Sequence, residues 1–155
     1  MLNVIFVKHG TKYCSDDVNR LYRSLLKYRS EDVKYHCYTE ETPDVQLNVD
    51  GLDRSINKIF IPAKPSLKKW WNKLYLFEKQ VVTQQGEKLF LDLDIVIQRN
   101  IDCIVDHNPE DGLTFVRTHW HNLEKMKEDT KDTPRMYTDL NSSVLRWNDN
   151  LDVDR

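Results

Sequence analysis

The segment that most constrains the fold is Lys88–Ile97, an apolar run that carries two aspartates, Asp92 and Asp94. Such runs are typical of β-strands buried on both faces of a sheet. Residues two apart face the same side of an extended backbone, so we expect both carboxylates on one face. Buried carboxylates must be paired, neutralised or bound to metal, and hard divalent cations are commonly held by carboxylates together with substrate phosphates. The run therefore predicts a metal–diphosphate site at the carboxyl end of a strand, with a pair of solvated loop acids as the alternative.

The beginning of the chain has the pattern of a strand, a helix and a second strand. Asn3–Val7 is a continuous apolar run followed by a glycine-containing loop. Ser15 is suited to cap a helix, and the apolar residues that follow it recur at helical spacing. Val33–Tyr38 predicts the second strand. Because crossover connections are right-handed, we expect these two strands to be parallel neighbours.

The alternation continues to the end of the sequence and predicts the α/β class, with a mostly parallel central sheet flanked by helices. Ligands of such sheets bind beyond the carboxyl ends of the strands. A second helix is expected from Ser66, and residues 148–155 are expected to form a flexible tail. The large apolar residues expected to face inward from the second helix are Leu67, Trp70, Trp71, Leu74 and Phe77. Further elements are expected at Lys58–Ile61, Ile101–Val105, Gly112–Arg117 and Asn141–Trp147.

Length and composition exclude several classes of protein. A chain of 155 residues is expected to form one domain with a real core. A net charge of −2 gives no reason to expect a nucleic acid partner. No apolar run approaches the roughly 20 residues of a membrane-spanning helix. The three cysteines are widely spaced, which indicates neither a zinc site nor a disulfide framework. A reduced, cytoplasmic protein is the expectation.

Short segments at five places in the sequence form an ordered set: Gly10–Tyr13, Tyr38–Glu41, Trp70–Leu74, Leu91–Val96 and Asn141–Val144. In this order they resemble the nucleotide-sugar glycosyltransferases of the GT-A type. The resemblance covers most of the chain and implies a single GT-A (Rossmann-like) domain over residues 1–155. It also implies transfer of a hexose from a UDP-sugar to an acceptor, with the help of a divalent metal ion.

The resemblance assigns roles to the charged residues. Asp94 would bind a Mn²⁺ or Mg²⁺ ion that bridges the diphosphate of the UDP-sugar, and Asp92 would bind the ribose hydroxyls directly or through the metal. Lys73 would be a second cation for the phosphates, with an ordinary solvated lysine as the alternative. Such a metal stabilises the negative charge of a departing nucleoside diphosphate.

The same resemblance places the uracil near the first two strands. Tyr13 would stack on the base, unless it simply packs against the first helix. Glu40 or Glu41 would accept a hydrogen bond from the uracil N–H. Further nucleotide contacts are expected from Val7, His9, Gly10, Thr11, Thr39, Leu91 and Leu93.

Three residues near the end of the chain would face the donor sugar. Asn141, Ser142 and Ser143 suit sugar hydroxyls, although Asn and Ser also favour turns. Asp139 would contact the sugar or act as a general base, and Asp111 is the other candidate base. Retention or inversion of the anomeric configuration stays open, as does the donor, for which UDP-glucose and UDP-galactose are the candidates.

The sequence departs from the family pattern after the Asn-Ser stretch. Family members usually continue into a region that shapes the acceptor pocket and often supplies a histidine as third metal ligand. Here only Trp147–Arg155 follows, without a histidine, so a minimal C-terminal region is expected. Two hypotheses follow. One is a complete transferase with an unknown acceptor. The other is a reduced UDP-sugar-binding module with at most slow donor hydrolysis, which would need a partner protein or a second copy of the chain.

Overall fold

A computed structural model describes residues 1–28, 32–40, 49–61, 69–78, 81–107, 112–117 and 140–151. Within these ranges, no helix is both long enough and apolar enough to cross a membrane. The strands are β1 (Leu2–Lys8), β2 (Val33–Glu40), β3 (Ile56–Ile61), β4 (Glu87–Leu91), β5 (Leu113–Arg117) and β6 (Leu140–Trp147). The helices are α1 (Ser15–Tyr28), a 3₁₀ helix (Lys69–Phe77) and the short α2 (Asp102–Val105).

The described strands form one six-stranded sheet in the order β3-β2-β1-β4-β6-β5. β1 is parallel to β2 and β4, and β2 is parallel to β3. β6 runs antiparallel to both of its neighbours, so it begins at the edge where β4 ends. The chain leaves β1 toward β2 on one side and reaches β4 on the other, and open α/β sheets bind ligands at such a switch point. The predicted α/β class with a mostly parallel sheet is confirmed.

Alternation along β1 divides the core into two layers, one on each face of the sheet. Val4 and Phe6 pack on the face covered by α1, whereas Ile5 packs on the face covered by the 3₁₀ helix. Each of these three side chains is at most 1% exposed, and full burial of such a side chain contributes about 1.5–3 kcal/mol. At the predicted helical spacing α1 buries Val18, Leu21, Tyr22 and Leu25, and it also buries Asn19. Leu26, the last apolar residue at that spacing and also expected to be buried, is exposed.

The second predicted helix differs from its expectation. It is a 3₁₀ helix, in which residues three apart lie on one face because each turn contains three residues. Asn72 and Tyr75 therefore share the buried face. Trp71 and Leu74, which were predicted to face inward, share an outer face and are 55% and 43% exposed, so that prediction is wrong. The inward placement predicted for Leu67 and Trp70 lies outside what the structure describes.

The predicted tail begins with residues that contact the sheet. Asn148 is buried, and Asp149 accepts hydrogen bonds from the Gly86 backbone N–H (2.7 Å) and from the Lys88 ammonium group. These bonds, the one from Lys88 first, lower the pKa of Asp149. Residues 148–151 are therefore held at the start of β4, and residues 152–155 lie outside the described ranges.

A buried polar pair links β1 to β2. Asn3 donates through Nδ2 to the carbonyls of Gln85 (3.0 Å) and Glu87 (3.2 Å), which orients its Oδ1 toward His36 Nε2 at 3.1 Å. His36 Nε2 must then carry the proton. His36 Nδ1 is buried without a hydrogen-bond partner among the described residues. Burial, with a smaller effect of Lys34, lowers the pKa of His36, because a second proton would add charge in a desolvated place.

This pair predicts a loss of stability at mildly acidic pH. The unfolded chain takes up the proton near the ordinary histidine pKa of about 6.5, whereas the folded chain resists it, so stability is complete above pH 6.5 and is lost as the pH falls below it. We expect the melting temperature to fall between pH 7.5 and pH 5.5, and to fall less in His36→Gln, whose amide can still donate to Asn3. Thermal unfolding followed by circular dichroism measures this.

The exposed His107 offers a matched control. His107→Gln should keep the wild-type pH dependence. Equal slopes for wild type and His36→Gln would contradict this account of the pair.

Candidate functional site

A cavity of about 720 Å³ lies at the sheet edge where β1, β2 and β4 end. It therefore coincides with the switch point of the sheet and lies beyond the carboxyl ends of the strands, where the sequence predicted ligand binding. The residues that line it are Val7, His9, Gly10, Thr11, Lys12, Tyr13, Glu40, Asn72, Lys73, Phe90, Asp92, Leu93 and Asp94. Most of these were expected to contact the nucleotide, whereas Lys12, Asn72 and Phe90 were not.

The loop after β1 is held at Gly10 from two sides. Gly10 has φ +58°, a left-handed conformation that glycine adopts without the steric cost paid by other residues. Its N–H donates to Glu40 Oε2 (3.3 Å), and its carbonyl accepts from Lys8 Nζ (3.1 Å). Lys8 is fully buried, and this burial lowers its pKa despite the opposing charges of Cys37 and Glu40. These contacts give the loop a defined backbone shape beside the cavity.

The two aspartates lie in a turn rather than in a strand. β4 ends at Leu91, so the strand predicted to run on to Ile97 is wrong beyond that residue. The Asp92 N–H donates to the Ser143 carbonyl of β6 (2.8 Å), as a strand residue would. The Asp92 carbonyl, however, accepts from the Ile95 N–H (3.2 Å), and this bond closes a turn. Asp92 and Asp94 therefore do not share a strand face as expected. Both face the cavity, but each has a different partner.

Asp92 is paired with Lys73. Lys73 Nζ donates to both carboxylate oxygens at 3.0 Å, and it also contacts the carbonyl (3.2 Å) and Oγ (3.3 Å) of Ser142. It lies 5.1 Å from the ring centroid of Phe90. Phe90 and Asp92 are two residues apart and point to the face covered by the 3₁₀ helix, which carries Lys73. Lys73, expected to be a cation for phosphates, is thus engaged by protein groups.

Asp94 has a weaker, neutral partner. The Tyr13 hydroxyl donates to Asp94 Oδ2 at 3.3 Å, and the Asp94 side chain is exposed. Lys12 Nζ lies 4.5 Å from the Tyr13 ring centroid. The contact with Tyr13, followed by the charges of Asp94 and Asp92, raises the pKa of Lys12. An aromatic ring, a cation and a carboxylate thus meet at one side of the cavity.

Two of the expected contact residues point away from the cavity. Thr39 and Leu91 are each 1% exposed and are not among the lining residues. Leu91 packs in the core layer beneath α1, and its neighbour Phe90 lines the cavity instead, because adjacent strand residues face opposite sides. The sequence indicated the right strand but the wrong parity at this position.

The Asn-Ser stretch forms the irregular start of β6. The register of its pairing with β5 is interrupted there, because Phe115 pairs with Leu145 whereas the next residue, Val116, pairs with Asn141. Asn141 Oδ1 accepts from the Ser143 N–H (2.7 Å), the turn geometry that was the alternative prediction. The following residue, Ser142, contacts Lys73 rather than lining the cavity, and the candidate bases Asp111 and Asp139 lie outside the described residues, as does Glu41.

Two residues of the site that the sequence did not indicate were missed, each for its own reason. Lys8 ends an apolar strand, a position at which a lysine is usually solvated. Asn72 lies on a 3₁₀ helix, whose three residues per turn place it differently from the α-helix that was predicted. The signal that could have identified Lys8 is its position between a buried strand and Gly10. Gly10 has a left-handed backbone conformation, and its carbonyl accepts a hydrogen bond from Lys8.

The charges of the cavity bear on what it can bind. Glu40, Asp92 and Asp94 face Lys12 and Lys73, which leaves one excess negative charge. His9 adds none at pH 7, because burial lowers its pKa. Within the described ranges, no three His, Cys, Asp or Glu side chains are grouped so that they could hold a metal ion. The exposed carboxylate of Asp94 is nevertheless a ligand of the kind that a hard cation takes together with oxygens of a bound phosphate and water.

No protein-family model matches the sequence, and no curated protein matches it significantly. Solved structures do match. The galactosyltransferase LgtC, in complex with donor and acceptor sugar analogues, superimposes with a TM-score of 0.63 at 14% identity, over 94% of this chain and 57% of LgtC. The apo structure of the bifunctional glycosyltransferase WbbM gives a TM-score of 0.59 at 11% identity, over 95% of this chain and 31% of WbbM.

The glycosyltransferase GlyE of Streptococcus pneumoniae TIGR4 gives a TM-score of 0.55 at 14% identity, over 94% of this chain and 33% of GlyE. All three are glycosyltransferases, and at these identities the likeness establishes the GT-A-like fold. This chain spans a little over half the length of LgtC and about a third of the other two proteins.

The different partners of the two aspartates predict different effects on stability. Asp92→Ala removes the carboxylate from a lysine that is only 13% exposed, so we expect a loss of about 1–2 kcal/mol in the free energy of unfolding. Asp94→Ala removes one exposed contact and should cost less than about 0.5 kcal/mol. Urea unfolding measures both variants. Equal losses in the free energy of unfolding would show that the Lys73–Asp92 pair stabilises the fold no more than the exposed contact of Asp94 does.

Proposed function

We propose that this chain binds a UDP-sugar in the cavity at the switch point, together with a divalent cation, and transfers the hexose to an acceptor. The observation that carries the proposal is the meeting of the Gly10–Tyr13 loop with the Asp92–Asp94 turn in one cavity of a GT-A-like fold. Each segment alone is a weak signal. Their convergence depends on the pairing of β1 with β4, which no local pattern encodes.

The loop after β1 is suited to hold the uracil. Tyr13 presents an aromatic ring to the cavity, and stacking of a base on such a ring contributes about 1–3 kcal/mol. Glu40 lines the same part of the cavity and is an acceptor of the kind that the uracil N–H requires. The neutral imidazole of His9 and the hydroxyl of Thr11 offer further hydrogen-bonding groups, with Gly10 allowing close approach of the backbone.

The turn after β4 is suited to hold the diphosphate. The excess negative charge of the cavity would repel a diphosphate unless a cation accompanied it. Asp94 would bind Mn²⁺ or Mg²⁺, with Asp92 nearby for the ribose. The metal would stabilise the charge that develops on the leaving diphosphate. Lys12 adds a positive charge to the lining of the cavity, and its side chain is exposed to solvent.

The start of β6 is suited to face the donor sugar. Asn141 and Ser142 stand at the start of β6, beside the Asp92 turn, and would face the hexose of UDP-glucose or UDP-galactose. Asp139 remains the candidate for contacting the sugar hydroxyls or for activating the acceptor.

A second candidate function is a UDP-sugar-binding module without an acceptor site of its own. It is favoured by the engagement of Lys73, because the lysine expected to neutralise the phosphates during transfer is already held by Asp92 and Ser142. Release of UDP separates the two. We expect the wild-type protein with Mn²⁺ to release UDP from at least one member of a panel of UDP-sugars when acceptors are present, and more slowly by hydrolysis when they are absent.

Binding of UDP without any release would favour the module. Absence of both UDP binding and release would overturn both candidates.

Substitutions at Tyr13 test the base-stacking role. Tyr13→Ala should weaken UDP binding by about tenfold, which corresponds to about 1.4 kcal/mol of lost stacking. Tyr13→Phe keeps the ring, removes only the hydroxyl that contacts Asp94, and should change the affinity less than about threefold. Calorimetric titration with UDP in the presence of Mn²⁺ measures both. If Tyr13→Phe is as damaging as Tyr13→Ala, the hydroxyl and not the ring makes the contribution.

A further inference from the structure

The Lys73 ammonium occupies the position from which a cation would bind Asp92. Its Nζ is 3.0 Å from both carboxylate oxygens, the arrangement in which a metal ion would be held by two oxygens of one carboxylate. Two cations at that position would repel each other strongly at such short distances. Asp92 is therefore closed to a metal ion for as long as Lys73 stays.

Several contacts keep Lys73 in place. The Ser142 carbonyl and hydroxyl accept from the same ammonium group at 3.2 and 3.3 Å, and the ring of Phe90 lies 5.1 Å away. The Lys73 side chain is only 13% exposed and that of Asp92 29% exposed, so the pair is screened less than a surface ion pair. Release of Asp92 would leave a largely buried ammonium with only neutral partners.

Asp94 is in the opposite situation. Its carboxylate is exposed, and it accepts a hydrogen bond of 3.3 Å from the neutral hydroxyl of Tyr13. A hydroxyl bond of that length is readily exchanged for a metal ion. A single carboxylate, however, is a poor site for Mn²⁺ or Mg²⁺, which need several oxygen ligands and commonly take them from substrate phosphates.

From this contrast we infer that Lys73 acts as a lock on Asp92, so that the protein binds its divalent cation only weakly, through Asp94, until a nucleoside diphosphate supplies further oxygen ligands. The inference rests on the proposed function and deepens it by coupling metal binding to nucleotide binding. Because binding effects are reciprocal, UDP must raise the affinity for Mn²⁺ by the same factor by which Mn²⁺ raises the affinity for UDP.

The lock is tested on the nucleotide-free protein, with Mn²⁺ alone as the probe. The electron paramagnetic resonance signal of free Mn²⁺ reports binding without any turnover. Lys73→Met removes the ammonium but keeps an apolar stem beside Phe90, and should raise Mn²⁺ affinity by about tenfold or more, within the range typical of coupled sites. The double variant Lys73→Met/Asp92→Asn should lose that gain.

Lys27 provides the charge-matched control, since it is exposed on α1 and does not line the cavity. Lys27→Met removes the same charge and should raise Mn²⁺ affinity by less than about twofold, the effect of net charge alone. Equal gains for Lys73→Met and Lys27→Met, no gain for Lys73→Met, or a gain that persists without the Asp92 carboxylate would each overturn the lock.

A second comparison does not depend on the folding of any Lys73 variant. In the wild-type background without nucleotide, Asp94→Asn should weaken Mn²⁺ binding by about tenfold, because it removes the open carboxylate ligand. Asp92→Asn should change it less than about twofold, because Lys73 already excludes the metal there. A loss with Asp92→Asn as large as that with Asp94→Asn would overturn the inference. Failure of UDP to bind would instead overturn the proposed function, and these nucleotide-free comparisons would still decide the lock.

Discussion

The parallel pairing of β1 with β4 is the constraint on which the rest of this structure depends. Their register, from Leu2 with Glu87 to Ile5 with Phe90, brings two segments about eighty residues apart in sequence to one edge of the sheet. One is the loop around Gly10, and the other is the turn that carries the aspartates. Burial on both faces stabilises this pairing, because alternate residues of β1 pack against α1 and against the 3₁₀ helix. The cavity is a consequence of where these two strands end.

The cavity combines segments held tightly with groups left open. Gly10 is held through both its N–H and its carbonyl, and Asp92 is held by Lys73. Asp94 and Lys12 lie at the exposed side of the same cavity. A preformed loop lowers the entropic cost of binding a nucleotide, while open charged groups remain available to ions that arrive with it. The contrast between the held Asp92 and the open Asp94 is the structural basis of the proposed coupling between metal and nucleotide binding.

Local patterns predicted much of the fold and the place of the site, because a buried strand, a capped helix and a glycine loop each have a signature in adjacent residues. They failed where the outcome depends on distant partners. β4 ends at Leu91, where its pairing with β6 ends, and no residue between Leu91 and Ile97 marks that point. The inward face of the 3₁₀ helix was missed because its period differs from that of an α-helix. The ion pair of Asp92 with Lys73 joins two elements whose relative position only the folded sheet decides.

The central claim is that the cavity binds a uridine nucleotide with a divalent cation. The most direct test is calorimetric titration of the wild-type protein with UDP, once with Mn²⁺ and once with EDTA, and with ADP as the comparison nucleotide. The account predicts that UDP binds in Mn²⁺, that the affinity falls by about tenfold or more in EDTA, and that ADP binds more weakly than UDP under both conditions. Absence of UDP binding in Mn²⁺, or equal affinity for UDP and ADP, would contradict it.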